Sequence, residues 1–96
     1  MTGGGGEPAQ RFIVRGRVQG VGFRWFVLQE AVMLDLGGFV QNLPDGSVEV
    51  VASGPSSALG HLEKVLSQGP RGARVDNVEK SDVSHDIKIP KPFGVQ

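Results

Sequence analysis

Hydrophobic residues follow two different spacings along the chain, and these predict strands in some segments and helices in others. In residues 11–18, the hydrophobic residues Phe12, Val14 and Val18 share one side of an extended chain, and this period of two is typical of a strand. In residues 23–34, Phe23, Val27 and Ala31 are four positions apart and share one face of a helix. The predicted elements, in chain order, are a strand at 11–18, a helix at 23–34, strands at 39–43 and 47–53, a helix at 55–68 and a strand at 73–83.

Glycine and proline residues mark the ends of these elements. Gly37 and Gly38 follow the first helix, where glycine commonly ends a helix. Pro44, Asp45 and Gly46 predict a tight turn, because proline presets its own backbone angle and Asp-Gly accepts a positive one. The two short strands on either side of this turn are therefore expected to form a hairpin.

The order strand, helix, strand, strand, helix, strand predicts a ferredoxin-like α+β fold, also described as a split βαβ or βαββαβ arrangement. Right-handed crossovers then place both helices on one face of an antiparallel four-stranded sheet. Ile87, Ile89 and Phe93 could add a short fifth strand at one edge, and Pro90 and Pro92 would keep it short.

Composition indicates a single small domain and excludes several classes of protein. The chain has 96 residues, of which 39% are hydrophobic, enough for one modest core. Residues 1–10, with four consecutive glycines, are expected to be a disordered N-terminal segment, and residues 11–96 to form the domain. The absence of cysteine excludes disulfides, thiolate metal sites and cysteine nucleophiles.

Charge and hydropathy narrow the expected partners and location. Ten basic and ten acidic side chains cancel, which argues against a nucleic-acid binder, because such proteins need a basic field. No apolar run is long enough to span a bilayer, so no membrane association is expected. Because no targeting segment is visible, a cytoplasmic location is expected.

The segment from Gly16 to Arg24 passes from a strand through a loop into the start of a helix. Gly20 and Gly22 allow successive backbone amides to face one point, and a helix N-terminus favours negative charge. Arg24 could close on the same anion with its planar set of donors. The segment does not match the Walker A motif, because no lysine follows its glycines. It does not match the dinucleotide-binding motif either, because Trp25 stands in place of the third glycine. On spacing alone, the glycines could equally serve only to turn the chain.

Asn42 stands at the end of a predicted strand, directly before the turn. An asparagine in that position is more often a turn residue, hydrogen-bonded to nearby backbone, than a catalytic one. Its position alone therefore assigns it no chemistry.

Taken together, the two segments resemble the acylphosphatase family. The run GRVQGVGFR at residues 16–24 resembles the family's phosphate-loop signature, and GGFVQNLPDGSVEVVASG at residues 37–54 resembles its second signature. Residues 69–79 also resemble the family's approach to its fourth strand. Matched by position, Arg24 corresponds to the substrate-binding arginine and Asn42 to the residue that holds the attacking water. The resemblance assigns phosphate binding to the loop residues Gln19, Gly20, Val21, Gly22 and Phe23.

The resemblance implies a hydrolase that acts on small-molecule acyl phosphates, with inorganic phosphate as its product and expected competitive inhibitor. Because arginine and backbone amides can carry the charge, neither metal nor cofactor is expected, and a monomer is expected because nothing in the sequence demands more. The chain departs from the family pattern at Phe39, where tryptophan is common, and in the tail at 85–96, which matches poorly. Two alternatives are a non-catalytic ferredoxin-like module that binds anions or RNA, and an anion-binding domain of a larger protein.

Overall fold

The computed structural model describes residues 7–84 and 88–96, and its element order agrees with the predicted one. The strands and helices are β1 (Ala9–Arg17), α1 (Phe23–Met33), β2 (Gly37–Asn42), β3 (Val48–Ser53), α2 (Ser56–Gln68), β4 (Arg74–Asp82) and β5 (Gly94–Val95). β1 begins two residues earlier than expected, because Ala9 and Gln10 pair with Ser53 and Ala52 of β3. Of the expected disordered segment, residues 7 and 8 are described and lie before β1, and residues 1–6 lie outside the described residues.

The five strands form a mixed sheet in the order β4-β1-β3-β2-β5. The first four are antiparallel to their neighbours, as predicted, but β5 runs parallel to β2. The prediction of a wholly antiparallel four-stranded sheet is therefore wrong in part, whereas the α+β class is confirmed. The fifth strand begins at Gly94, further along the chain than the expected Ile89, because Pro90 and Pro92 have no amide proton to donate to a neighbouring strand. Ile87 lies outside the described residues.

Both helices pack on the same face of the sheet and share one core with it. α1 contributes Phe23, Val27 and Ala31, which fulfil the predicted helical spacing. α2 contributes a buried leucine stripe. The sheet supplies alternate residues of its central strands, and the buried core members outside the helices are Phe12, Val14, Val18, Leu36, Val40, Val48, Val50, Ala52 and Phe93. None of the described helices is both long and apolar enough to cross a lipid bilayer.

The end of α1 differs from the prediction that Gly37 and Gly38 terminate it. The helix ends at Met33, and the residue with a positive φ is Asp35, at 56°. The amide of Leu36 donates to the carbonyl of Ala31, which closes the helix end before the glycines are reached. Gly37 and Gly38 instead begin β2.

The sheet face away from the helices carries a polar cluster centred on Glu49. Gln41 Nε2 donates to Glu49 Oε1 at 2.6 Å, and Arg11 Nε donates to Oε2 at 2.5 Å. Burial is the largest single influence on the pKa of Glu49 and raises it. The hydrogen bonds from Gln41 and Arg11 together outweigh burial, so that the pKa lies below its ordinary value. The cluster therefore keeps a buried carboxylate ionised.

Candidate active site

The loop between β1 and α1 is built from glycines with left-handed backbone. Gly20 and Gly22 have φ values of 76° and 77°, a region that L side chains rarely adopt. Gly22 is also the N-cap of α1 and supplies no side-chain cap to the first turn. The amides at the start of an α-helix have no intrahelical partner, and the helix dipole makes this end positive. This helix start is therefore suited to an anion.

A cavity of about 270 Å³ opens at this helix start. Five of the seven predicted site residues line it, namely Gly20, Gly22, Phe23, Arg24 and Asn42. Val18, Trp25 and Val95 complete the lining. Gln19 and Val21 belong to the same loop but are not among the lining residues. The structure thus brings the loop, the arginine and the asparagine to one place, whereas their roles stay predictions.

The guanidinium of Arg24 is held from the C-terminal segment. Its Nη1 donates to the backbone oxygen of Gln96 at 3.0 Å. The amide of Gln96 in turn donates to the carbonyl of Val40 in β2 at 2.8 Å, which continues the pairing of β5. The short parallel strand therefore helps to fix the arginine at the cavity, a contact that no sequence signal indicated.

The side chain of Asn42 takes no part in the turn that follows it. Within the described residues it makes no hydrogen bond, although it lines the cavity. The turn interpretation that its sequence position favoured is met by Asp45 instead, whose Oδ1 accepts from the amide and hydroxyl of Ser47. The amide group of Asn42 is thus available to a ligand or to water.

Asp45 is kept ionised by the turn that it forms. Its hydrogen bonds with the Ser47 hydroxyl and amide, helped by Arg15 at 3.1 Å, lower its pKa to about 2. Its negative charge is therefore stabilised by the hydrogen bonds of the turn and by Arg15.

The side chain of Gln19 joins the loop to the hairpin. Its Nε2 donates to the carbonyl of Leu43 at 2.8 Å and to the carbonyl of Ser47 at 2.9 Å. These two carbonyls belong to the turn that begins directly after Asn42. The resemblance predicts phosphate binding by the backbone amides of the loop, that of Gln19 among them, and this stays a prediction, whereas the side chain of Gln19 is engaged by the hairpin. We call these two hydrogen bonds, from Gln19 to Leu43 and to Ser47, the clamp, and they tie the loop to the turn beside Asn42.

The described residues, 7–84 and 88–96, contain no group of three histidine or carboxylate side chains that could hold a metal ion. The polar groups that face the cavity are instead the guanidinium of Arg24, the amide of Asn42 and the backbone of the loop. Such a set of donors is suited to binding oxyanions.

The split βαβ sheet and the glycine loop at the start of its first helix place this chain among small ferredoxin-like α+β proteins, with a helix start suited to an oxyanion. The acylphosphatase family model matches residues 10–94, nearly the whole described chain. The chain belongs to the acylphosphatase family.

Relatives and solved structures support the same assignment. An acylphosphatase of Koribacter versatilis is 52% identical over 90 residues, which cover 94% of this chain and 81% of the relative. The crystal structure of acylphosphatase from Bacillus subtilis has a TM-score of 0.87 and 37% identity, covering 93% of this chain and 98% of its own. An acylphosphatase structure from Coxiella burnetii has a TM-score of 0.89 and 36% identity, covering 100% of both chains.

Proposed function

We propose that this chain is an acylphosphatase that hydrolyses acyl phosphates to a carboxylate and inorganic phosphate. The observation that carries the proposal is that Arg24, the glycine loop and Asn42 line one cavity at the start of α1. Membership of the family supplies the reaction, and the cavity supplies the groups that the reaction needs.

The phosphoryl group binds at the helix start. The amides of the loop and of the first turn donate to its oxygens, and the guanidinium of Arg24 neutralises its charge. In phosphoryl transfer, negative charge lies on the three equatorial oxygens, and most of the catalysis consists of positioning and charge stabilisation. Donors that are already in place supply this stabilisation without reorganisation. The bond from Arg24 to Gln96 keeps the guanidinium within reach of the cavity.

Asn42 orients the attacking water. Its carbonyl oxygen accepts a hydrogen bond from the water, whose oxygen forms a bond to phosphorus. The phosphorus–oxygen bond to the acyl group breaks, and its electron pair leaves on the carboxylate. The proton released by the water stays with the phosphate product. A neutral amide suits this position, because a carboxylate there would repel the incoming phosphate.

The reaction needs neither a strong general acid nor a strong base. A carboxylate is a weak base and leaves without being protonated, and a loose transition state places little charge on the water. Because arginine and backbone amides carry the charge, we propose hydrolysis independent of metal and cofactor. Competition by inorganic phosphate, a monomeric state and a cytoplasmic location likewise stay predictions.

Steady-state hydrolysis of benzoyl phosphate in the presence of EDTA tests the proposal. Arg24→Ala removes charge stabilisation and should lower kcat/KM by about 10²–10³-fold or more, because a single preorganised donor is worth that much. Asn42→Ala should mainly lower kcat, by about 10²-fold, since the water loses its orientation. Lys64→Ala, which removes an exposed cation from α2, is the matched control and should behave as wild type. Equal activity in all four proteins would refute the assigned roles.

A further inference from the structure

Trp25 is a large aromatic residue that the core does not use. It lies in the first turn of α1, directly after Arg24, and 62% of it is exposed. An exposed large apolar residue beside a cavity is more informative than a scattered one, because burying an aromatic ring normally stabilises a fold. Trp25 lines the same cavity as Arg24 and Asn42.

The groups that line the cavity are of two kinds. The backbone of the loop, Arg24 and Asn42 supply polar groups, which we call the polar wall, whereas the side chains of Val18, Phe23, Trp25 and Val95 are apolar and are called the apolar wall. Its volume of about 270 Å³ approaches the range of ~300–1,000 Å³ that is usual for sites of small organic ligands. The cavity therefore has room for more than a bare phosphate ion.

An acyl phosphate has two parts that match these walls. Its phosphate bears the charge, and its acyl group is attached through the bridging oxygen that leaves in the reaction. When the phosphate is held by the polar wall, the acyl group extends toward the part of the cavity that is apolar. Flat aromatic surfaces bind other flat apolar groups well, because both the contact area and the ring electrostatics favour them.

Trp25 also lines a second surface, which runs along α1. An apolar groove lined by Trp25, Leu28, Val32 and Met33 begins at this residue. A bulky acyl group that extends past Trp25 thus meets further apolar side chains, and Gln29 lines the groove beside them. Glu30 also lines the groove, and its carboxylate disfavours acyl groups that carry a negative charge of their own.

We propose that Trp25 is a specificity-determining residue and that this site prefers acyl phosphates with large, uncharged, apolar acyl groups, aromatic ones above all. The inference rests on the proposed function, because it names the substrate class of that same site. Trp25 contributes through contact with the acyl group and takes no part in the transfer of the phosphoryl group.

The experiment compares kcat/KM for benzoyl phosphate and for acetyl phosphate in wild type and in Trp25→Ala. The ratio of the two values removes any effect on the shared phosphate chemistry. We expect Trp25→Ala to lower this ratio by about tenfold, the size of discrimination that one apolar contact supplies. Trp25→Phe should retain most of the ratio. Lys64→Ala changes an exposed side chain of α2 that lines neither the cavity nor the groove and should leave the ratio unchanged.

The outcomes separate this inference from the proposed function. If wild type hydrolyses both substrates but Trp25→Ala lowers both kcat/KM values equally, the inference is wrong and the proposed function stands. If Lys64→Ala lowers the ratio as much as Trp25→Ala does, the specificity does not reside in the cavity and the inference is also wrong. Wild-type protein that hydrolyses neither substrate would overturn the proposed function, and this inference with it.

Discussion

The two helices pack on the same face of the sheet, yet their outer surfaces differ. α2 buries Leu59, Leu62 and Leu66 and exposes a mainly polar face, as expected of a helix at a protein surface. α1 buries Phe23, Val27 and Ala31 but also exposes other large apolar side chains. These exposed residues are Trp25, Val32 and Met33, at 62%, 58% and 79%.

This comparison shows that the start of a helix does not by itself form a binding site. Both helices begin without a side-chain cap, so both present free amides at a positive end. No residue of α2 is among those that line the candidate site. The start of α1 differs because Arg24, Asn42 and the β5 segment converge there. We infer that α2 is shaped by packing alone, whereas the composition of α1 also reflects its place beside the site.

The largest expected effect contrasts one apolar side chain from each helix. Leu62→Ala leaves a cavity in the core, because Leu62 is fully buried, and should lower the free energy of unfolding by about 2–5 kcal/mol. Met33→Ala changes an exposed side chain and should alter this free energy by less than about 0.5 kcal/mol. Chemical denaturation of both variants measures the two values.

Activity gives the counterpart to this contrast. At a temperature where Leu62→Ala is fully folded, its kcat/KM should equal that of wild type, since α2 contributes no residue to the site. A loss of activity in the folded Leu62→Ala protein would show that α2 influences the site, and the division of roles between the helices would not hold.

Local signals in the sequence were sufficient for most of the fold. Hydrophobic period identified both helices, and Asp45 with Gly46 identified the hairpin turn, because each signal lies within a few neighbouring residues. β5 has a weaker signal: the apolar residues of the tail indicated a possible short edge strand, but β5 has only two residues, and its partners Phe39 and Val40 lie far away in the chain. Its position and its parallel direction depend on where the tail crosses the molecule, which spacing does not encode.

The candidate site divides in the same way. The two signature runs indicated the loop, Arg24 and Asn42, and the structure gathers these residues around one cavity. The contacts of Gln19 with the hairpin and of Arg24 with Gln96 join residues at least 24 positions apart. Such contacts follow from the assembled sheet, and a single sequence does not reveal them.

Replacing Gln19 tests the clamp, which distinguishes the start of α1 from that of α2. Gln19→Ala removes two hydrogen bonds, but the carbonyls of Leu43 and Ser47 each keep a backbone donor. The expected loss in the free energy of unfolding is therefore about 1–3 kcal/mol, from two bonds of ordinary strength.

The kinetic effect of the same variant separates positioning from stability. Without the clamp, Asn42 is less well placed relative to the loop, so kcat should fall by about tenfold while KM changes less. Gln68→Ala, at the exposed end of α2, is the matched control and should leave both constants unchanged. A Gln19→Ala protein with lower stability but normal kcat would assign the clamp a purely structural role.

The smallest expected effects come from replacing by alanine the N-cap glycine of α1 and a glycine within α2. Gly22 caps α1 at a φ of 77°, so Gly22→Ala forces a side chain into left-handed backbone and should destabilise the protein by about 1–2 kcal/mol. Gly60 lies within α2 with no atom near its missing side chain, so Gly60→Ala should stabilise the protein by about 0.5–1 kcal/mol. Thermal unfolding measures both changes.

These two glycine variants should also differ in activity. A shift of the backbone at Gly22 moves the amides that are proposed to hold the phosphate, so the KM for an acyl phosphate should rise. Gly60→Ala should leave kcat and KM as they are, because Gly60 is exposed and no residue of α2 lines the cavity. The opposite result, with unchanged kinetics in Gly22→Ala, would mean that the loop tolerates movement. Substrate binding would then rest on Arg24, and the start of α1 would be no more functional than the start of α2.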